Sequence, residues 1–165
     1  GWGFISEDPV FVQLLEENNI TFLGPSSSAM SQLGDKIAAK YLAEASNVPL
    51  APWCEYKSEW STERTIEEGD RIGYPLMVKA SAGGGGRGIR KVHSSDELLQ
   101  TIETVQQEVR KFFGQGGILL EKCVSSARHI EVQLVCTQNK AYAVGVRDCS
   151  IQRKNQKVIE EGFLF

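Results

Sequence analysis

Between positions 94 and 112 the apolar residues fall at Leu98, Ile102, Val105, Val109 and Phe112, steps of four and three that line one face of a helix. Ser94, Ser95 and Asp96 offer side-chain oxygens to cap its first turn. The stripe predicts a core-facing helix rather than a cofactor-binding face. The same reading predicts a short helix over 9–18, with Val10, Leu14 and Leu15 on one face, then a buried strand at Ile20, Thr21, Phe22 and Leu23 that ends at Gly24 and Pro25. That pair resembles the last strand and helix of an α/β domain. Residues 26–32 and 35–45 read as two linker helices, the second with Ile37, Tyr41 and Leu42 at helical spacing and an end near Asn47, Val48 and Pro49. A polar, acidic segment over 52–70 leads into a helix-like run. Residues 74–92 then read as an apolar strand carrying one lysine, four consecutive glycines and a basic strand. Glycines at 114, 116 and 117 interrupt the pattern before a strand over 118–124.

Strict alternation over 129–134 puts Ile130, Val132 and Leu134 on one strand face and His129, Glu131 and Gln133 on the other. The first face reads as core; the second suits solvent or a ligand equally. Asn139 and Lys140 suggest a hairpin turn into a strand at Ala141, Tyr142, Ala143 and Val144. Four cations follow within residues 147–157, fitting either a charge-guarded strand edge or an anion site.

Composition bounds the class without choosing the function. At 165 residues, 41% hydrophobic and 24% charged, the chain has the make-up of about one soluble domain or a piece of a larger one. It opens on Gly1 without Met and stops on the apolar Phe163, Leu164 and Phe165, so both ends are expected to be cut. No apolar run approaches the roughly 18 residues of a membrane span, and no signal-peptide layout opens the chain. A cytoplasmic protein is expected. Cys54, Cys123, Cys136 and Cys149 form no Cys-x-x-Cys pair, which argues against a disulfide framework or structural zinc. A net charge of -3 gives no general pull toward nucleic acid or an anionic membrane.

The chemistry concentrates in 74–92. Residues without Cβ let backbone N–H groups approach an anion closely, and Lys79, Arg87, Arg90 and Lys91 supply matching charge. A flexible linker is the rival reading, but linkers usually sit among Ser or Pro rather than between strand-like runs. The lysine precedes the glycines, so the pattern is not a Walker A loop.

Several segments together resemble the biotin carboxylases of the ATP-grasp fold. They are Gly34-Asp35-Lys36, the lysine and glycine block over 74–90, Glu121-Lys122, Arg128-His129-Ile130-Glu131, and 147–153. The opening residues 1–8 also resemble that family's Gly-Tyr-Gly-Phe-Leu-Ser-Glu-Asn. Gly24-Pro25 before four small residues, and Trp53, resemble the acetyl-CoA carboxylase type. The resemblance implies an α/β fold with an α+β lid, incomplete at both ends. Its parts would be the end of an N-terminal α/β domain over 1–23, a helical linker over 24–50, the lid over 51–123 and the start of the second ATP-grasp subdomain over 124–165.

The implied reaction joins ATP and bicarbonate into carboxyphosphate and passes the carboxyl group to biotin on a carrier domain, with a carboxyltransferase domain or subunit downstream. By this similarity Lys36 and Lys79 contact ATP phosphates and Gly83, Gly84, Gly85, Gly86, Arg87 and Gly88 form a lid loop. Glu121, Lys122 and the backbone around Val124 meet the adenine edge. His129 and Gln152 lie near ribose and phosphates, and Lys157 helps hold bicarbonate. Asn155 stands where the family carries His, and Lys154 replaces an Arg. The family's Mg²⁺ ligands and its catalytic Arg and Glu are expected beyond position 165. Two rival readings are another ATP-grasp ligase, such as a carbamoyl-phosphate synthase large chain, and a non-catalytic nucleotide-binding protein.

Overall fold

The computed structural model describes residues 3, 5–81, 88–112, 116–137, 139–153 and 156–163. Two compact units divide the chain, Gly1–Cys123 and Val124–Phe165.

The first unit opens with three helices, α1 Pro9–Glu17, α2 Ser27–Gly34 and α3 Lys36–Ala45. Asp8 caps α1 by accepting from the Val10 and Phe11 amides, with Pro9 in the first turn where a missing N–H costs nothing. The expected face of α1 is not the buried one: Val10 is 71% exposed, whereas Val12 is wholly buried. The Glu16 carboxylate joins α1 to α2 by accepting from the Ser27 hydroxyl at 2.6 Å and its amide at 3.1 Å. Residues 20–23 form no strand, and Leu23 is 95% exposed. An apolar β-branched run becomes a strand only where neighbouring backbone groups complete its ladder, and among the described residues none pairs with it.

The core belongs to a four-stranded antiparallel sheet of β1 Trp53–Tyr56, β2 Leu76–Ala80, β3 Ile89–Val92 and β4 Ile118–Lys122, in the order β1-β4-β2-β3. Helices α4 Thr62–Ile72 and α5 Ser95–Phe112 complete it. Leu76, Val78 and Ala80 of β2 and Ile118 and Leu120 of β4 point to one face and bury against Ile72 of α4 and Leu98, Ile102, Val105 and Val109 of α5. Period-two alternation then sends Lys79, Leu119 and Glu121 to the other face, where Leu119 packs with Ile37 of α3 and Trp53 of β1. The sheet therefore has helices on both sides, with Lys79 and Glu121 on the α3 side.

The second unit is a three-stranded antiparallel sheet, β5 Ile130–Cys136, β6 Ala141–Arg153 and β7 Gln156–Phe163, in that order. The hairpin closes through the Thr137 amide and the Lys140 carbonyl at 2.8 Å. Ile130, Val132 and Leu134 do not form the expected core face, because all three are exposed. A sheet buries an apolar face only against another layer, and the described residues of this unit supply none.

Leu98 lies at the centre of the α5 stripe with no exposed surface. Leu98→Ala should lower unfolding stability by about 2–5 kcal/mol, read as a lower urea midpoint at unchanged slope, whereas Leu23→Ala should shift it by less than about 0.5 kcal/mol.

Candidate functional site: a lysine and glutamate cluster beside the glycine run

The α3 face of the first sheet gathers its chemistry around one carboxylate. Glu121 on β4 accepts from Lys79 of β2 at 2.5 Å through Oε2 and from Lys40 of α3 through Oε1. These side chains retain only 14% (Glu121), 24% (Lys79) and 16% (Lys40) of their exposure. Burial pushes the Glu121 carboxyl upward, but the two ammonium groups outweigh it and hold the group below its usual range. Asp35 caps α3 by accepting from the Ile37 and Ala38 amides, which sets the helix so that Lys36 and Lys40 lie one turn apart.

Lys36 Nζ donates to the Ser81 carbonyl at 3.1 Å, at the stem of the glycine run. Burial and the nearby Lys79 charge lower its pKa, against a raising effect of Asp35. Ser81 is itself fixed: its amide donates to the Gly117 carbonyl at 2.9 Å and its hydroxyl accepts from the Gly117 amide at 3.0 Å. On the far side of the run Gly88 takes φ +68°, and its carbonyl accepts from the Ala80 amide at 2.8 Å. A Cβ there would lie 2.9 Å from that of Ala80, so a side chain is excluded twice over. Gly83, Gly84, Gly85, Gly86 and Arg87 lie outside the described residues, as does Asn155.

Thus Lys36, Lys79 and Glu121 of the sequence reading lie together. Lys122 points to the opposite face of β4 and donates to the Gly73 and Tyr74 carbonyls at 3.1 and 2.7 Å. Val124, past the end of β4, is exposed. Lys40 escaped the sequence reading, although its position one turn after Lys36 was a usable signal.

In the second unit Glu131 accepts from both Arg147 and Lys157, and Arg147 also donates to Glu160 at 2.9 Å. The four-cation segment therefore has at least two members that neutralise carboxylates of its own sheet. Lys157 lowers the Glu131 pKa, and Glu131 raises that of Lys157. Gln152 Nε2 lies 2.7 Å from His129 Nδ1 and donates to the Cys149 carbonyl at 2.9 Å. A Gln NH₂ can only donate, so Nδ1 accepts and the proton of a neutral imidazole sits on Nε2. Asp148 is pushed down to about 2, first by the Ser150 hydroxyl and then by Arg128. His129, Gln152 and Lys157 thus share one three-stranded surface with Glu131, which the sequence reading put on the possible ligand face without its cationic partners.

Among the described residues, Glu131, Cys149 and Glu160 bring possible ligand atoms within 4.8 Å of one another. They do not fit Mg²⁺, which takes oxygen ligands in octahedral geometry, because the Glu131 oxygens already face two cations and Cys149 offers a buried thiol whose pKa burial raises.

Residues 35–162 match the family described as carbamoyl-phosphate synthase L chain, ATP binding domain, and residues 1–30 match the biotin carboxylase N-terminal domain. The chain belongs to this ATP-binding family, in its biotin carboxylase form. It is 44% identical over 98% of its length to the urea amidolyase of Lachancea kluyveri, covering 9% of that protein. It is 43% identical, again over 98% of its length, to acetyl-CoA carboxylase 1 of rice, Oryza sativa subsp. japonica, covering 8% of it. The biotin carboxylase domain of Hydrogenobacter thermophilus 2-oxoglutarate carboxylase, solved with MgADP, ADP and bicarbonate, superposes with a TM-score of 0.88 at 40% identity. The match covers 97% of this chain and 35% of that domain, so the fold is the ATP-grasp fold of biotin carboxylases. The chain spans about a third of that domain and under a tenth of the two longer relatives.

Because Glu121 is held below its ordinary pKa, its stabilising effect is complete above the ordinary carboxylate value of about 4.3 and disappears as pH falls through the lowered folded value. Urea unfolding should find Glu121→Gln less stable than the parent by about 1–3 kcal/mol at pH 7, with the difference closing as the parent carboxyl protonates.

Proposed function

We propose that this chain supplies the nucleotide-binding part of a biotin carboxylase. In that reaction bicarbonate oxygen attacks the γ-phosphorus of ATP, giving carboxyphosphate and ADP. The carboxyl group then passes to the ureido nitrogen of biotin and inorganic phosphate is released. The observation that carries the reading is the juxtaposition of Lys79 and Glu121 on one sheet face, with Lys36 tied to the stem of the glycine run. Phosphoryl transfer asks a protein chiefly to position and neutralise charge, and two lysines close to Ser81, where the chain enters four consecutive glycines, suit that task.

On this reading Lys36 and Lys79 contact phosphates and residues 83–88 cover them. Glu121, with Lys122 and the backbone near Val124, meets the adenine edge. Lys122 does so through its backbone, since its ammonium donates to the Gly73 and Tyr74 carbonyls on the other face of the strand. His129 and Gln152 face the ribose and phosphates, Asn155 stands nearby in place of a histidine, and Lys157 holds bicarbonate. Residues 51–123 act as the lid, after a tail of the preceding domain over 1–23 and a linker over 24–50, and residues 124–165 open the second subdomain. Mg²⁺ would accompany the nucleotide, and no step is assigned to it because the described residues offer it no fitting ligand set. A biotin carrier domain and a carboxyltransferase are the partners of such a protein. No helix among the described residues is long and apolar enough to cross a membrane, and Cys54, Cys123, Cys136 and Cys149 are free thiols, in keeping with a cytoplasmic setting.

A carbamoyl-phosphate synthase reading has the name of the matching family model in its favour. The biotin carboxylase N-terminal match over 1–30 and the biotin-carboxylase-domain neighbour weigh against it. Biotin-stimulated ADP release by the full-length natural protein, without ammonia-dependent release, separates the two.

Two outcomes follow. In the full-length natural protein, Lys79→Ala should raise the Kd for ATP by roughly 10- to 100-fold, matching about 1.5–3 kcal/mol for a charge-assisted phosphate contact, measured by calorimetry; an unchanged Kd removes Lys79 from the site. The 165-residue polypeptide expressed alone should release no ADP in response to biotin with Mg²⁺, ATP and bicarbonate; measurable biotin-dependent turnover would require a metal site within these residues.

A further inference from the structure

Glu121 is shared between two lysines that come from different elements, one on each carboxylate oxygen. Lys79 arrives from the neighbouring strand and Lys40 from α3. Lys40 is also held from a second direction, its Nζ lying 6.0 Å from the centroid of the Trp53 ring. Trp53 sits opposite Glu121 in the β1–β4 register and is fixed in turn by donating from Nε1 to Glu44 at 2.7 Å. Lys40 is thus a placed cation beside Glu121.

The consequence rests on the reading that Lys79 contacts a nucleotide phosphate. For that contact Lys79 has to turn its ammonium away from Glu121. A carboxylate with 14% of its exposure left and no remaining cation carries a desolvation penalty, which would be charged against nucleotide binding. We propose that Lys40 is a positioning residue for the nucleotide: it keeps Glu121 paired on the α3 side, so that Lys79 can move from the carboxylate to a phosphate oxygen without stranding a half-buried charge. Glu121 then acts as a relay post with one permanent and one exchangeable lysine. Removing the permanent one should convert the exchangeable pair into a competitor of the nucleotide.

The test is a double-mutant cycle on ATP affinity in the full-length natural protein. Lys40→Met should raise the ATP Kd by roughly tenfold, equivalent to about 1.4 kcal/mol, and Lys40→Arg should recover most of it. In a Glu121→Gln background the same Lys40→Met change should alter the Kd by less than about twofold, because the neutral amide no longer retains Lys79 or needs a cation. A merely structural role for Lys40 would weaken binding in both backgrounds. So would direct contact between Lys40 and a phosphate. Either result overturns the proposal, as does an unchanged Kd in Lys40→Met while Lys79→Ala weakens binding. If Lys79→Ala itself leaves ATP binding intact, or the protein binds no ATP, the phosphate reading fails and this inference fails with it. Where Lys40→Met does not fold, Lys40→Gln carries the same cycle.

Discussion

Burial of one face of β2 and β4 beneath α4 and α5 is the constraint on which the first unit depends. Once Leu76, Val78, Ala80, Ile118 and Leu120 are committed to that core, a one-residue slip in either strand would turn its members of this set away from the helices and bring a charge, Lys79 or Glu121, toward them. The register is therefore held by hydrophobic burial, and the charged residues have no choice of side. Lys79 lies across from Leu119, Glu121 across from Met77, and both charges face α3. A polar cluster that would be costly to assemble by itself is placed by the packing of the opposite face.

The cluster then meets its own electrostatic demand. A partly buried carboxylate needs compensation, and here two lysines supply it from opposite sides. Lys36 is attached to the Ser81 carbonyl instead, which leaves the glycine run springing from a stem fixed by Lys36, Gly117 and the Ala80–Gly88 bond. A strand and a helix thus carry the cations, Lys79 on β2 and Lys36 and Lys40 on α3, while glycine at 88 lets the chain turn back close to β2. The second unit repeats the theme on a smaller sheet, with Glu131 between Arg147 and Lys157.

What could be read from the chain followed the strength of its periodicity. The α5 stripe and the Ser94 cap emerged because eighteen residues of helix repeat the signal several times. Strand β1 did not, since Trp53, Cys54, Glu55 and Tyr56 are too few and too mixed to show alternation, and only pairing with β4 makes them a strand. The apolar run at 20–23 misled for the complementary reason: it carries strand propensity without a described neighbour to pair with. Lys36 and Glu121 entered as candidates through resemblance, whereas the residue pattern by itself singled out Lys79 together with Arg87, Arg90 and Lys91. The partners of Lys40 and Glu131 lie 81 and 26 positions away, so local spacing could mark their side of a helix or strand but not the residues they pair with.

On the proposed reading, the α3 face of this sheet receives nucleotide phosphates at Lys79 while Glu121 stays paired with Lys40. A structure of the full-length natural protein with a non-hydrolysable ATP analogue tests it directly. A phosphate oxygen is expected at about 2.7–3.0 Å from Lys79 Nζ, with Glu121 still accepting from Lys40. Phosphates bound elsewhere, with Lys79 still seated on Glu121, would contradict it.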